Sequence, residues 1–323
     1  MVNVLQLRAK IIEGYQIAKE ETMELVDAPL EELCQAADEI RSFFCSDKFD
    51  ICTIINGKSG RCSENCKFCA QSSFYDTEVE TYPLLDTETC LAQAKYNDEK
   101  GVLRYSVVTS GKALNNQEVE QLCETYRAIN EQTSIALCAS LGLLQEEQYV
   151  KLKEAGVTRI HNNLETSRRN FPNICTTHTY DEKIASIKAA MKAGLKVCSG
   201  GLMGIGETME DRIDMAFDLK ELGIHSVPVN MLSPIKGTPY GERVPLTSDE
   251  MRRIVAIYRF ILPDASIRLA GGRGLLEDKG ESCFVSGANA VISGDLLTTS
   301  GMTIDADMKM IAELGYVPSL WER

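Results

Sequence analysis

Two hydrophobic spacings alternate along the chain. Short runs rich in β-branched and other apolar residues read as strands: ICTIIN (51–56), RYSVVTS (104–110), SIALCAS (134–140), TRIHNNLE (158–165), LKVCSGG (195–201), HSVPVNML (225–232), SIRLAGG (266–272) and AVISG (290–294). Between them, apolar residues recur at three- and four-residue steps. Val119, Leu122, Cys123 and Tyr126 mark one amphipathic helix. Another starts at Thr247 and Glu250, the two ends of a capping box, ahead of Met251, Ile254, Val255 and Tyr258. The first 50 residues read as helices, with Leu30, Leu33, Cys34, Ala37, Ile40 and Phe44 on one face of 30–44.

Strands alternating with helices imply parallel pairing, because each parallel crossover needs a dozen or more residues. Eight such strands predict an α/β protein of the (β/α)8 TIM barrel class; an open doubly wound sheet is the alternative. No Pro-, Gly- or Ser-rich linker divides the chain. The expected organisation is an N-terminal helical extension (1–50) and one barrel domain with a C-terminal tail (51–323). Chemistry in such a barrel belongs at the C-terminal ends of the strands and in the loops after them.

Composition narrows the function. A chain with 44% hydrophobic and 25% charged residues is not disordered as a whole. With 34 Lys and Arg against 47 Asp and Glu, its net charge of −13 argues against a nucleic-acid partner. No apolar run is long enough to span a membrane. The N-terminal MVNVLQLRAKIIEGYQIAKEE lacks a signal-peptide core, so a cytoplasmic location is expected. Twelve cysteines in a reducing compartment do not mean six disulfides. Cys34, Cys90, Cys123 and Cys283 read as core. Cys45 and Cys175 stay open between packing and participation in a site. His178 and His225 lack a partner motif, and no Ser-His-Asp arrangement is apparent.

The sharpest pattern is Cys62-Ser-Glu-Asn-Cys66-Lys-Phe-Cys69, just past the first strand. A four-cysteine zinc site wants a second nearby pair, and none follows. Three thiolates instead suit a [4Fe–4S] cluster with one iron left open to another ligand. This C-x3-C-x-aromatic-C run resembles the signature of radical S-adenosylmethionine (SAM) enzymes. The segments KSGRCSENCKFCAQSS, NNLETS, NICTTHTY, KVCSGGLMGIGET, SVPVNML, KGTP, SIRLAGGR, GAN and LLTT resemble, in the same order, those of the biotin synthase family, over roughly residues 40 to 315.

That resemblance implies a radical SAM sulfurtransferase that converts dethiobiotin to biotin. Cys62, Cys66 and Cys69 would carry the [4Fe–4S] cluster, whose open iron chelates SAM; one electron then yields methionine and a 5′-deoxyadenosyl radical. Phe68 would lie against the adenine, Asn163 and Glu165 at the ribose, Lys183 near the SAM carboxylate, and the glycine-rich 200–207 run, including Gly204, close to SAM. Asn163, Asn230, Thr298 and Thr299 would bind dethiobiotin. The family phrase nearer YNHNLDTS reads IHNNLETS here, so His161 stands where an Asn is common. An electron donor such as ferredoxin or flavodoxin and a homodimer are also implied. The rivals are a radical SAM enzyme of the same barrel without sulfur insertion, and a non-catalytic iron–sulfur sensor.

Better-known members take sulfur from a [2Fe–2S] cluster held by three strand cysteines and an arginine. Cys138, Cys198 and Arg268 match three of these ligands, but Ser106 stands at the fourth. Cys52 appears on the first strand, where serine is usual, and Ala290 stands on the eighth, where serine is frequent. The resemblance therefore implies a relocated auxiliary cluster at Cys52, Cys138, Cys198 and Arg268, as in members from anaerobes that carry a four-iron auxiliary cluster with an extra sulfide.

Overall fold

The structure is a computed structural model that describes residues 3–295, 297 and 301–321. Helices Val4–Ile12, Lys19–Glu24 and Leu30–Cys45 come first. The strands that follow are β1 (Lys48–Lys58), β2 (Arg104–Thr109), β3 (Ala136–Ser140), β4 (Val157–His161), β5 (Lys196–Cys198), β6 (Gly201–Met203), β7 (Ser226–Met231), β8 (Ser266–Leu269) and β9 (Ala290–Ser293). All pair in parallel, in the order β5-β4-β3-β2-β1-β9-β8-β7-β6. A short β10 (Val317–Pro318) adds to the start of β1.

β5 and β6 are two halves of one stave. The first pairs with β4 and the second with β7. Between them the Ser199 amide donates to the Ser226 carbonyl at 3.0 Å, and the Glu165 amide donates to the Gly200 carbonyl at 3.1 Å. The ring therefore closes as the expected eight-staved barrel. The kink needs glycine: a Cβ on Gly200 would meet the Pro228 carbonyl oxygen at 1.9 Å.

Local chemistry starts the helices where the sequence places them. The Glu250 amide donates to Thr247 Oγ1 at 3.2 Å, and the Thr247 amide donates to the Glu250 carboxylate at 2.7 Å. Asn115 with Glu118, Thr179 with Glu182 and Thr208 with Asp211 repeat the device. Helix Ser248–Ile261 buries Met251, Ile254, Val255 and Tyr258 as its pattern requires, and packs on helix Leu30–Cys45. Three expected strands differ, one of them the seventh, which stops at Leu269 rather than 272. The fourth stops at His161 rather than continuing to 165, because Glu165 adopts a left-handed backbone (φ 72°). The fifth breaks at the kink just described.

The barrel floor is polar. Asp50 on β1 is fully buried and faces three buried guanidiniums, with Oδ2 at 3.3 Å from Arg104 Nε, 3.6 Å from Arg159 Nη1 and 3.3 Å from Arg268 Nη2. The tail lies beneath: Arg159 Nη2 donates to the Trp321 carbonyl at 3.1 Å, and Trp321 Nε1 donates to the Asp264 carbonyl at 3.0 Å. Burial alone would push the Asp50 carboxyl up; Arg268, Arg104 and Arg159 outweigh it and hold it below the usual range.

Asp50→Asn should destabilise the fold by about 3–5 kcal/mol at neutral pH, the usual cost of removing one partner from a buried ion cluster. A depressed folded-state pKa adds stability above the unfolded carboxylate pKa of about 3.9, which is lost as pH falls below it. In chemical denaturation from pH 7 to pH 3, the wild-type advantage over Asp50→Asn should shrink only at the acid end.

Candidate active site

Gly60 (φ 72°) and Arg61 (φ 50°) turn the chain out of β1 into the cysteine loop. The loop's neck is fastened by two backbone bonds: the Cys62 amide donates to the Gln71 carbonyl at 2.9 Å, and the Ser73 amide donates to the Cys62 carbonyl at 2.8 Å. A tight turn brings the Cys69 amide to the Cys66 carbonyl at 3.0 Å. The segment after β4 braces the outer side. There the Lys67 amide donates to the Ile174 carbonyl at 3.0 Å, and Asn65 Nδ2 donates to Thr176 Oγ1 at 2.7 Å. Cys62, Cys66, Phe68 and Cys69 all line one cavity of 430 Å³ that runs down into the barrel.

On the opposite wall stand His161, Asn163 and Glu165, all three lining that cavity. Asn162 joins them, since regular alternation ends with β4. Asn163 Nδ2 donates to Glu165 at 3.4 Å, and its Oδ1 accepts from the Gly200 amide at 3.1 Å. Lys183 is buried and donates to Asn162 Oδ1 at 3.4 Å. Asn230 Nδ2 donates to the Gly201 carbonyl at 3.1 Å and its Oδ1 accepts from the Gly271 amide at 2.9 Å, which leaves one hydrogen and one lone pair for a ligand. Gly204 (φ 89°) does not line the cavity: it faces Leu246, and its amide donates to Glu207 at 2.8 Å. Thr298 and Thr299 lie outside the described residues.

Deeper in the barrel, side chains stack in layers drawn from alternate staves. With β5 and β6 counted as one stave, Cys52, Cys138, Cys198 and Arg268 come from the first, third, fifth and seventh, so they share a single layer. Register agrees with this: Ser106 neighbours Cys138, and His161 neighbours Cys198, both from even-numbered staves. Arg104 and Arg159 form the layer below, linked by Asp50. Arg268 Nη1 donates to Cys52 Sγ at 3.2 Å, to the Asp50 carbonyl at 3.0 Å and to the Val291 carbonyl at 2.8 Å. The expected arginine ligand also pairs with Asp50, with Nη2 at 3.3 Å from Oδ2. Ser106 Oγ is buried and, among the described residues, makes no hydrogen bond.

The donor set suits multi-iron groups. Among the described residues, the group with ligand atoms all within 4.8 Å is Cys66, Cys175 and His178. Neither Cys62–Cys66–Cys69 nor Cys52–Cys138–Cys198 converges that tightly. Burial pushes the Cys52 thiol up to about 12, against the pull of Arg268. Cys69 is pushed up to about 11 for the same reason. Such thiols stay protonated at neutral pH until a metal displaces the proton. Burial lowers His161 to about 4, so it is a neutral imidazole.

Several residues of the site are invisible to motif reading. Asp50, Arg104 and Arg159 look like ordinary strand polars in the sequence; only β-register places them on one floor. His178, which has no nearby partner in sequence, meets Glu64 across 114 positions, with Nδ1 at 2.6 Å from Oε2. His225 lies 3.5 Å from Asp264, away from the cavity. Cys34, Cys90, Cys123 and Cys283 are buried core as expected. Cys45 sits at the foot of the barrel, 3.5 Å from Arg259 Nη1, and does not line the cavity.

Comparison with known proteins places this geometry. The Radical SAM superfamily model matches residues 58–219, and the Biotin and Thiamin Synthesis associated domain matches 228–317. The chain is 62% identical to the biotin synthase of Brachyspira hyodysenteriae over 321 residues, covering 99% of this chain and 96% of that one. It is 56% identical to the biotin synthase of Clostridium botulinum strain Loch Maree, covering 98% and 99%. Among solved structures, methylornithine synthase (PylB) superposes with a TM-score of 0.84 at 20% identity, covering 97% of each chain. The hydrogenase maturase HydG gives 0.82 at 20% identity, covering 99% of this chain and 76% of that one. At that identity these two speak for the fold alone.

Proposed function

The chain belongs to the biotin synthase family of radical SAM enzymes, and on that premise we propose that it inserts sulfur into dethiobiotin from an auxiliary cluster at Cys52, Cys138 and Cys198. The observation that carries this reading is the pair of cysteine sets opening at two depths onto one cavity. When bound, a [4Fe–4S] cluster on Cys62, Cys66 and Cys69 with SAM supplies the hydrogen-abstracting radical, and the deeper cluster supplies the sulfur. A four-iron type is favoured for the deeper group.

The chain's own residues then have distinct tasks. Phe68 flanks the adenine, while Asn163 and Glu165 hold the ribose hydroxyls and Lys183 faces the SAM carboxylate. Lys183 offers a point charge rather than a bidentate fork. The spare hydrogen and lone pair of Asn230 match a ureido group, with Asn163 beside it, and Thr298 and Thr299 would take the substrate carboxylate. Arg268 would complete the ligand set of the auxiliary cluster beside the Cys52 sulfur, its guanidinium held in place by Asp50. The apolar cavity wall keeps water from the reacting carbons. Electrons come from a donor such as ferredoxin or flavodoxin, and the working unit is a homodimer. Among the described residues no helix is long and apolar enough to cross a membrane, which agrees with a cytoplasmic site of action.

Three variants separate the two metal sites. Cys66→Ala should abolish 5′-deoxyadenosine formation while the barrel still folds, since the loop lies outside the core. Cys52→Ala should lose only the auxiliary iron: SAM cleavage persists and biotin formation stops. Ser106→Ala should keep iron content and biotin formation near wild type. The reverse pattern, with Ser106 essential and Cys52 dispensable, would contradict the assignment.

Glu165→Ala should weaken SAM binding by about 1–3 kcal/mol, the usual cost of losing a charged hydrogen-bond acceptor. Equilibrium binding to the iron-loaded protein checks this, and an unchanged affinity would leave Glu165 as a structural residue of the turn.

A further inference from the structure

The segment that braces the cysteine loop carries a thiol that the proposed reaction does not use. Cys175 is buried, and its Sγ lies within 4.8 Å of both Cys66 Sγ and a ring nitrogen of His178. In the metal-free protein Cys66 is the donor of this pair, which pushes its own thiol up and holds Cys175 down; iron on Cys66 removes that hydrogen. The other neighbours of Cys175 are His178 Nδ1 at 3.3 Å and Thr177 Oγ1 at 3.5 Å. Behind them stands Glu64, from inside the cysteine triplet, whose Oε2 accepts from Thr177 Oγ1 at 2.7 Å and lies 2.6 Å from His178 Nδ1.

The hydrogens in this group can be assigned. A nitrogen 2.6 Å from a carboxylate oxygen donates to it, so Glu64 fixes the His178 tautomer with the proton on Nδ1. Phe171 packs edge-on against the imidazole, with ring centroids 5.5 Å apart, and holds its orientation. A protonated Nδ1 cannot accept from Cys175. The thiol hydrogen then has Thr177 Oγ1, at 3.5 Å, and the Cys66 sulfur as acceptors. An iron-bound Cys66 has no hydrogen of its own and carries negative charge, which makes it the strongest acceptor within reach.

We propose that Cys175, held by His178 and Glu64, donates a hydrogen bond to the Cys66 sulfur and so raises the reduction potential of the radical-generating cluster. This rests on the reading of Cys62, Cys66 and Cys69 as the ligands of that cluster. Hydrogen bonds to cluster sulfurs stabilise the reduced, more negative state, and residues behind metal ligands tune the metal in this way. Cys175 is a positioning residue here: it acts on the cluster through Cys66. The same network holds the Cys62–Cys69 loop against the segment after β4, so cluster tuning and loop position share the same atoms.

The test is a potentiometric titration of the anaerobically reconstituted enzyme, followed by the electron paramagnetic resonance signal that changes when SAM is added. That change singles out the radical cluster from the auxiliary one. Cys175→Ala should keep the iron content of the wild type, shift the midpoint to more negative potential, and slow reductive SAM cleavage about 10-fold. Cys175→Ser keeps a donor of similar size and should recover most of the wild-type potential. His178→Phe should shift the potential in the same direction as Cys175→Ala, since it removes the group that orients the thiol. An unchanged potential in a fully loaded Cys175→Ala protein would overturn the proposal. Loss of cluster iron in both Cys175→Ala and Cys175→Ser would also overturn it, by making Cys175 a ligand. If instead wild-type protein shows no SAM-sensitive signal, or keeps it in Cys66→Ala, the underlying ligand assignment fails.

Discussion

The buried contact of Asp50 with three guanidiniums sets the terms for the barrel interior. Asp50, Arg104, Arg159 and Arg268 are all nearly inaccessible, and among the described residues Asp50 is the carboxylate that faces all three arginines. Charge buried this deeply is weakly screened, so the floor acts electrostatically on the layer above it. That field already acts on the thiols there: Arg268 pulls Cys52 down, and Arg104 and Arg159 pull Cys138 down, though burial outweighs them in both. As free thiols Cys52 and Cys138 stay protonated and carry no charge. The polar floor and the cysteine layer are therefore electrostatically coupled.

The alternate-stave rule of barrels puts Cys52 in one layer with Cys138, Cys198 and Arg268. A ligand at Ser106 would come from an even-numbered stave and sit off the layer that holds Cys138, Cys198 and Arg268. Cys52 comes from the first stave and completes an odd-stave ring. Above that ring stand Ser106 and His161, and above these the Asn163–Glu165 wall and the cysteine loop. Depth in the barrel thus separates the two cysteine sets, and one cavity joins them.

Much of the fold is legible along the chain because the physics is local. The capping box at Thr247 and Glu250, the helical periodicity and the eight apolar runs all depend on neighbours within a few positions. The irregular parts are not local. The kink that splits the fifth stave depends on Pro228 crowding Gly200, and the early end of β4 depends on the left-handed Glu165 pairing with the kinked chain. The loop cysteines are legible from spacing, and Cys52, Cys138 and Cys198 from family likeness. The floor is not, because Asp50 meets its arginines only through strand register. Nor is the His178–Glu64 contact, where no motif links residues so far apart.

Iron-edge anomalous diffraction from crystals of anaerobically loaded protein tests the central claim most directly. The account predicts two separate iron peaks: one within the 62–69 loop, and one inside the barrel bonded to the sulfurs of Cys52, Cys138 and Cys198, with Arg268 against it. Iron at the loop alone, or an interior cluster anchored at Ser106 with Cys52 unligated, would contradict it.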